Sequence, residues 1–436
     1  MALPKKLRLW GIGGVGMSAI AQHLHLSGHL ITGYDREPSP FTKRVESLGI
    51  FIDYAPNPAA SEQAEGVIYT PAISAEFPEW EVVKALGLPT WRRGEVLAEL
   101  VGSYDTLAVA GAHGKTTTAA ILSWLLHAIG ESPVAFVGGL MRNFDNNYLS
   151  GSGPWAVVEA DEYDRAMLHL RPAHAIVQST DPDHLEIYGT PEGVEAAYRA
   201  FVQQVKGLVV VGPTVPSFGC PVIRYALEQY EVDGTQVRFR YRWNTHQREA
   251  QWFQIGRHLA ENAAAALTLL EAIGFDFSSM QKALRDFKGV WRRMEVSVVG
   301  KHIIVDDYAH HPTEIRRTLQ ALRESFPKHK LLALFQPHLY SRTAFFAKDF
   351  SEALSLADYV LLFPIYAARE PSTSQVTSKL ISQHLHVPYT EVIPLDSDMT
   401  WLESLLSNDP SIYAFLGAGD IYRWIPAIYA CITKNP

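Results

Sequence analysis

The sequence predicts an α/β protein of three successive domains, each with a mainly parallel sheet covered by helices. Apolar runs of four or five residues alternate with helical patterns along the 436 residues. In the last third of the chain these runs are almost continuously apolar, as in strands that are buried on both faces. Glycine-rich or acidic segments follow several of them, at the strand ends where open α/β sheets bind ligands.

The first predicted domain, residues 1–104, has a glycine turn between a strand and a helix. The strand is 7–10, the turn is Gly11-Ile12-Gly13-Gly14-Val15-Gly16, and a helix follows through 19–21. A second strand ends at Asp35, 24 residues after Gly11. In Rossmann-like domains such a turn holds a diphosphate, and the acid can bond to a ribose or a base. The alternative is a strand–helix unit that needs small residues only for packing.

The second predicted domain, residues 105–292, carries the loop Ala110-Gly111-Ala112-His113-Gly114-Lys115-Thr116-Thr117-Thr118 between a strand and a helix. Such a loop points backbone N–H groups at an anion, and the helix N-terminus adds positive potential. Lys115 supplies a charge for the outer phosphates, and Thr116 supplies a hydroxyl suited to Mg²⁺. Two residues separate Gly111 from Gly114, where the general P-loop has four. We predict a P-loop ATPase-like domain; the alternative is a tight turn with a solvent-facing lysine.

Two further strands of this domain are followed by groups that can bind a metal. Glu159 closes the run 155–158, 44 residues beyond Lys115, where its carboxylate would meet Mg²⁺ held by Thr116. His184 follows the run 173–177, but histidine is a less usual ligand of Mg²⁺, and the alternative is a surface loop histidine. The polar stretch 238–254 indicates a β-rich excursion, and a helix is predicted over 259–273.

The third predicted domain, residues 293–436, is a Rossmann-like α/β unit with strands at 302–305, 331–335, 359–363 and 412–416. Its densest titratable cluster, 306–314, precedes a helix that Asp307 or Thr313 could cap. Because His310 and His311 are adjacent, at most one of them points into a site. Arg342, which follows the Gln-Pro-His segment, could clamp a carboxylate with two bonds or lie on the surface at a helix start.

Composition limits the classes of function. The net charge is −8, which argues against non-specific binding to nucleic acid or to an anionic membrane. The two cysteines form no motif, so we expect no disulfide framework and a reducing cytoplasm. Glycines and histidines interrupt the N-terminal segment, which fits neither a signal peptide nor a membrane span.

Together these segments resemble the Mur ligase family over nearly the whole chain. The resemblance rests on several motifs that occur in the family's order across three domains. They are 11–18, Arg93-Gly94-Glu95, 110–118, 159–162, Asp183-His184, Gly256-Arg257-His258 with Asn262, Trp291-Arg292-Arg293, 306–314, Gln336-Pro337-His338 and Gly417-Ala418-Gly419-Asp420.

The resemblance implies an ATP-dependent ligase that joins L-alanine to UDP-N-acetylmuramate through an acyl phosphate, in peptidoglycan precursor synthesis. Binding of the UDP sugar is then expected at Gly13, Gly14, Val15, Gly16, Met17, Ser18, Asp35 and Arg93. ATP is expected at Gly111, Ala112, His113, Gly114, Lys115, Thr116, Thr117 and Asn262, with Arg292 and Asp306 approaching it on closure of the third domain. Mg²⁺ is expected at Thr116, Glu159 and His184, and the catalytic group is Lys115, His310, His338 and Arg342.

Three residues depart from the family's pattern, and one of them is Gly94, where the family more usually has alanine. Leu259 stands where the family often has asparagine, which bears on contacts to the adenine. Leu339 stands where it often has arginine, so Arg342 would hold the amino acid's carboxylate alone. The alternatives are a recycling ligase that adds a murein tripeptide to the same UDP sugar, a nicotinamide-dependent oxidoreductase and a non-catalytic nucleotide switch. We expect a monomer or a homodimer, with no nucleic-acid partner and no membrane insertion.

Overall fold

A computed structural model describes residues 3–181, 185–368, 370–371, 375–391 and 409–434. The chain divides into two compact units. The first comprises Met1–Glu228, Arg240–Ala250 and Glu261–Val290, and the second comprises Gln229–Phe239, Gln251–Ala260 and Trp291–Pro436. Three sheets with their helices confirm the predicted α/β fold class. The domain boundaries at residues 104 and 292 stay predictions.

The N-terminal sheet is parallel and has the strand order β3-β2-β1-β4-β5. Its strands are β1 (Lys6–Trp10), β2 (Leu30–Tyr34), β3 (Phe51–Asp53), β4 (Gly66–Tyr69) and β5 (Thr90–Arg92). The helices between and after them are α1 (Val15–Leu26), α2 (Pro40–Glu46), α3 (Pro58–Glu62), α4 (Glu79–Leu86) and α5 (Arg93–Val101). The strand order reverses beside β1, so the glycine turn after β1 lies at the switch point where such sheets bind ligands.

A buried ion pair joins β1 to α4 in this domain. The guanidinium of Arg8 donates two bonds to the Glu79 carboxylate, at 2.6 and 2.8 Å, and a third to Asp53 at 2.9 Å. The side chains of Arg8 and Glu79 are fully buried, and the Trp10 indole also donates to Glu79. Burial alone would raise the pKa of Glu79, but the hydrogen bonds it accepts outweigh that effect and lower the pKa.

The middle sheet has the order β14-β13-β12-β11-β10-β6-β9-β7-β8. Its strands are β6 (Asp105–Ala110), β7 (Val134–Met141), β8 (Asn146–Leu149), β9 (Trp155–Glu159), β10 (His174–Val177), β11 (Val209–Val211), β12 (Ile223–Asp233), β13 (Gln236–Trp243) and β14 (His246–Trp252). The helices are α6 (Lys115–Ala128), α7 (Leu185–Tyr188), α8 (Pro191–Val202), α9 (Arg257–Ala272) and α10 (Phe277–Leu284), with a 3₁₀ helix at Tyr163–His169. Since β6 lies between β9 and β10, the segments that follow those two strands flank the triphosphate loop, residues 110–118. The predicted β-rich excursion is confirmed by β13 and β14.

The third sheet has the order β15-β16-β20-β17-β18-β19. Its strands are β15 (Glu295–Val299), β16 (His302–Asp307), β17 (Lys330–Phe335), β18 (Tyr359–Leu362), β19 (Tyr389–Glu391) and β20 (Ser411–Leu416). The helices are α11 (Pro312–Ser325), α12 (Tyr340–Leu354), α13 (Lys379–Ser382) and α14 (Ile425–Lys434), with a 3₁₀ helix at Ile421–Trp424. The neighbouring strands β16, β20, β17, β18 and β19 are all parallel, whereas β15 is antiparallel to β16. In the described ranges, no helix combines the length and apolar character needed to cross a bilayer.

Several helices begin where the sequence supplies a polar cap. The Ser39 hydroxyl accepts a bond from Thr42 N before Pro40 opens α2, and Thr190 does the same for α8. A side-chain acceptor satisfies a backbone donor that has no partner within the helix, and proline suits the first helical position. The start of α6 is different because a glycine precedes it, which leaves its backbone donors available to a ligand.

Candidate active site

The triphosphate loop connects β6 to α6 and requires glycine at two positions. Gly111 has φ of 131° and Gly114 has φ of 83°, which L-residues with side chains rarely adopt. An added Cβ on Gly111 would lie 2.9 Å from Ser179 N, and one on Gly114 would lie 2.5 Å from Asn262 Oδ1. Asn262 is buried next to this loop. Its contact with the adenine stays a prediction.

Lys115 lies over the loop and is held by two oxygens of the protein. Its Nζ donates to Gly111 O at 2.7 Å and to Glu162 Oε1 at 2.7 Å. Burial alone would lower the pKa of Lys115, but the carboxylates of Glu162 and Asp161 outweigh it and raise the pKa. Lys115 therefore keeps its charge, and two of its three donors are engaged by the protein.

The remaining loop residues are fixed by the segment after β10. Backbone N–H groups of Ala112 and His113 donate to the backbone oxygen and the hydroxyl of Ser179, at 3.3 and 3.1 Å. The imidazole Nε2 of His113 lies 3.3 Å from Asp181 Oδ2. Thr117 is buried in the first turn of α6. The loop is thus supported on one side by β10, as its place in the sheet requires.

Thr116 and Glu159 form a pair of hard oxygen donors beside the loop. The Thr116 hydroxyl lies 3.1 Å from Glu159 Oε2, and the backbone N–H of Gly138 donates to the other carboxylate oxygen. A hydroxyl and a carboxylate are ligands that suit Mg²⁺, which usually completes its octahedron with phosphate and water oxygens. His184, the third predicted ligand, lies outside the described residues. Among the residues that are described, no group of three or more His, Cys, Asp or Glu could hold a metal.

The glycine turn of the first domain is closed by its own acid. Gly13 N donates to Asp35 Oδ2 at 2.7 Å, and both Gly11 N and Ile12 N donate to Tyr34 O. Burial raises the pKa of Asp35, against the opposing effect of the backbone bonds it accepts. Asp35 thus contacts the turn itself, and its contact with a nucleoside stays a prediction.

Arg93 connects the glycine turn to the middle domain. An added Cβ on Gly16 would lie 2.7 Å from Arg93 Nη1, and Arg93 Nη2 lies 3.0 Å from Asp161 Oδ2. The side chains of Met17 and Ser18 are buried in α1. A predicted role of Met17 in binding the UDP sugar would therefore use its backbone.

In the second unit, Arg292 is held entirely by its own neighbours. Its guanidinium donates to Gly419 O at 2.8 Å, to Gly417 O and to Asp306 Oδ1 at 3.2 Å, and it lies 4.6 Å from the ring centre of Tyr422. Burial raises the pKa of Asp306 to about 6 although Arg292 opposes this. The predicted approach of Arg292 and Asp306 to ATP stays a prediction.

The two adjacent histidines of the third domain have different partners, and which of them faces a bound amino acid stays a prediction. His311 is the cap of α11, since its Nδ1 accepts from Thr313 N at 3.3 Å. The expectation that Asp307 or Thr313 caps this helix is therefore wrong. Asp307 instead accepts bonds from Met294 N and Ala309 N within the core, and its burial raises its pKa to about 6.

His310 is the histidine that lies next to His338. Their ring centres are 5.8 Å apart, and the His338 ring stacks on Tyr366. Burial lowers the pKa of His310 to about 4, an effect that Glu314 opposes and Arg342 reinforces. Because its Nδ1 is 2.9 Å from the carbonyl oxygen of Tyr308, Nδ1 carries the proton and Nε2 carries the lone pair.

Comparison with known proteins settles the family. Three family models match: "Mur ligase family, catalytic domain" over residues 6–105, "Mur ligase middle domain" over 109–270 and "Mur ligase, glutamate ligase domain" over 292–405. A UDP-N-acetylmuramate–L-alanine ligase of Flavobacterium johnsoniae is 36% identical over 439 residues, covering 98% of this chain and 97% of the relative. The chain belongs to the Mur ligase family.

Solved structures of Mur ligases share the fold. The UDP-N-acetylmuramate-alanine ligase MurC of Thermotoga maritima has a TM-score of 0.84 at 28% identity, covering 99% of this chain and all of that one. A murein peptide ligase of Psychrobacter arcticus has a TM-score of 0.72 at 21% identity, covering 98% and 99%. The likeness to the murein peptide ligase concerns the fold alone. The Thermotoga maritima protein has the same name as the Flavobacterium johnsoniae relative.

Sequence reasoning missed two ion pairs of this Mur ligase. Glu162 pairs with Lys115, and Asp161 pairs with Arg93 of the preceding domain. A signal was available, because three acids lie within four residues at the end of β9, and the ends of such strands carry the ligand site. What the sequence did not provide was the partner of each acid.

Proposed function

We propose that this Mur ligase joins L-alanine to UDP-N-acetylmuramate at the expense of ATP, in cytoplasmic synthesis of peptidoglycan precursors. The observation that carries the proposal is the triphosphate loop, with a charged lysine over it, in a chain whose full-length relatives are named as L-alanine ligases. Residues 1–104 are assigned to the UDP sugar, 105–292 to ATP and 293–436 to the amino acid.

The middle domain supplies the groups that bind and polarise ATP. Backbone N–H groups at the start of α6 and the Lys115 ammonium face the phosphates and neutralise charge that builds on the γ-phosphoryl group. Thr116 and Glu159 are the residues that would hold Mg²⁺, with His184 as a further candidate. Bound Mg²⁺ supplies positive charge to the phosphate oxygens.

The reaction needs ATP because a carboxylate is a poor acyl donor at neutral pH. A carboxylate oxygen of the UDP sugar attacks the γ-phosphorus of ATP, and ADP leaves. The neutral amine of alanine then attacks the acyl carbon, phosphate leaves with the oxygen that made the first bond, and the proton of the amine goes to the leaving phosphate. Water must be kept from the acyl phosphate, which is the role we assign to closure of the third domain.

His310, His338 and Arg342 are assigned to the amino acid. A general base works best when its pKa lies near the operating pH, and the pKa of His310 is about 4. His310 is therefore better suited to accept a hydrogen bond from the amine at Nε2 than to store its proton. Arg342 supplies the positive charge for the amino acid's carboxylate.

The choice of acceptor is tested by phosphate release. With UDP-N-acetylmuramate and ATP present, we expect L-alanine to start phosphate release and the murein tripeptide to leave it near the background rate. The two arms use the same enzyme preparation and differ only in the acceptor. Release that depends on the tripeptide and not on alanine would assign the chain to the recycling reaction.

The acyl phosphate is tested with an isotope. Because phosphate leaves with a carboxylate oxygen, UDP-N-acetylmuramate labelled with ¹⁸O in its carboxylate should yield inorganic phosphate with one ¹⁸O per turnover. Mass spectrometry of the phosphate measures the transfer. Unlabelled phosphate from an alanine-dependent reaction would exclude this intermediate, while NAD binding without any phosphate release would exclude the ligase altogether.

A further inference from the structure

Helix α1 follows the glycine turn, and its first residue, Val15, is hydrogen-bonded to the middle domain. Val15, Ser18 and Gln22 are three or four residues apart on α1, so they lie on one face of the helix. That helix packs against β7 and β8 of the middle domain. The glycine turn and the triphosphate loop therefore have a physical connection that does not pass through the chain between them.

Asn147, on β8, is the centre of this connection. Its Nδ2 donates to Val15 O at 2.6 Å and to Ser18 Oγ at 2.9 Å, and its Oδ1 accepts from Gln22 Nε2 at 3.1 Å. Gln22 in turn accepts from Asn146 Nδ2 at 2.9 Å. Asn147 is fully buried, and both of its amide hydrogens are used. No apolar side chain reproduces this pattern, and aspartate would turn a carboxylate toward the Val15 carbonyl.

The strand paired with β8 leads to the other site. β7 and β8 are antiparallel neighbours, and β7 contains Gly138 and Gly139. Gly138 N donates to the Glu159 carboxylate, and an added Cβ on Gly139 would lie 3.0 Å from Thr116 Cγ2. In this pair of strands, β7 thus contacts the proposed metal ligands, and β8 binds the start of α1.

We propose that Asn147 is a positioning residue for the ligation reaction. It fixes the start of α1, and with it the glycine turn, at a set distance from the triphosphate loop, so that the acid of the UDP sugar meets the γ-phosphoryl group. This inference rests on the proposed function. It assigns Asn147 no contact with a substrate, because its polar side-chain atoms are engaged by α1.

The test is Asn147→Ala, with kcat measured apart from binding. A small misplacement of reacting groups can cost about 10²-fold in rate, so we expect kcat to fall roughly 30- to 100-fold. Dissociation constants for UDP-N-acetylmuramate and for a non-hydrolysable ATP analogue, each measured alone by calorimetry, should stay within about threefold of wild type, since the bonds within each turn remain. A purely structural role would lower the melting temperature and leave kcat per folded molecule unchanged.

Tyr148→Phe is the matched control. It removes the 3.0 Å bond between the Tyr148 hydroxyl and His23 Nδ1, which links the same strand to the same helix farther from the glycine turn. We expect wild-type kcat in this variant. If Asn147→Ala does not fold, Gln22→Met removes the donor to Asn147 Oδ1 with little change in volume and should lower kcat in the same direction.

The outcomes separate the inference from the function. Wild-type enzyme that fails to release phosphate with alanine would reject the proposed function. Active wild type together with a folded Asn147→Ala enzyme whose kcat is within threefold of wild type would reject the inference alone. The inference would also be rejected if weaker binding of the UDP sugar fully explained the loss of rate. An equal loss of kcat in Tyr148→Phe would reject it as well.

Discussion

Replacing Lys115 with alanine is expected to lower alanine-dependent phosphate release by about 10³-fold or more. The ammonium is the positive charge held over the triphosphate loop, and removing a charge that stabilises the transferring phosphoryl group costs rates of this order. Binding of UDP-N-acetylmuramate, measured by calorimetry without ATP, should be nearly unchanged, because the proposed sugar site belongs to the first domain. Full activity in this variant would refute the assignment of the loop.

The Glu162 partner makes a control possible. Lys115→Ala leaves the carboxylate of Glu162, which is only 3% exposed, without its cation, so the variant should also lose stability. Adding Glu162→Gln removes the stranded charge, and we expect the double variant to regain stability without regaining activity. If activity returned together with stability, Lys115 would be a structural residue and not a catalytic one.

Replacing Glu79 with alanine is expected to destabilise the protein by about 3–5 kcal/mol, because the fully buried guanidinium of Arg8 loses its bidentate partner. Urea unfolding followed by tryptophan fluorescence measures the change. The double variant Arg8→Met with Glu79→Leu removes both charges and should recover part of the loss, since Trp10, Ser61 and Asn57 still lose their acceptor. A change below about 1 kcal/mol in Glu79→Ala, the size found for exposed pairs, would contradict the burial of this pair.

The same pair predicts how stability depends on pH. The pKa of Glu79 is lower in the folded protein than in the unfolded chain, so its contribution is present above the unfolded value and is lost as the pH falls through the folded value. The unfolding free energy of the wild type should therefore decrease more between neutral and acidic pH than that of the double apolar variant. Parallel curves for the two proteins would remove Glu79 from the acid response.

The fold was largely predictable because its strands are buried on both faces. The runs at 331–335 and 412–416 correspond to β17 and β20, the inner strands of the third sheet. The edge strands β15 and β19 were not predicted, since one is partly polar and the other has three residues. A continuous apolar run identifies a strand that is covered on both faces, and these two edge strands have no such run.

The candidate site was predictable where one local pattern carries the chemistry. The triphosphate loop needs only a strand, two glycines and a lysine in sequence, and its glycines have the backbone angles that this geometry requires. The partners of Lys115 and Arg93 and the cap of α11 depend on which side chains meet across the fold. Sequence spacing does not determine those distances, so Glu162, Asp161 and His311 were found only in the structure.

The place of β8 at the end of the middle sheet has a consequence for dissecting the protein. An unprotected edge strand invites pairing with other molecules, and here α1 packs against β8, whose Asn147 and Tyr148 are buried. A fragment without the first domain would lose these contacts and would expose Asn147 and Tyr148 to solvent beside an unpaired strand. The middle domain should therefore be prepared together with the N-terminal one, because alone it would be prone to self-association.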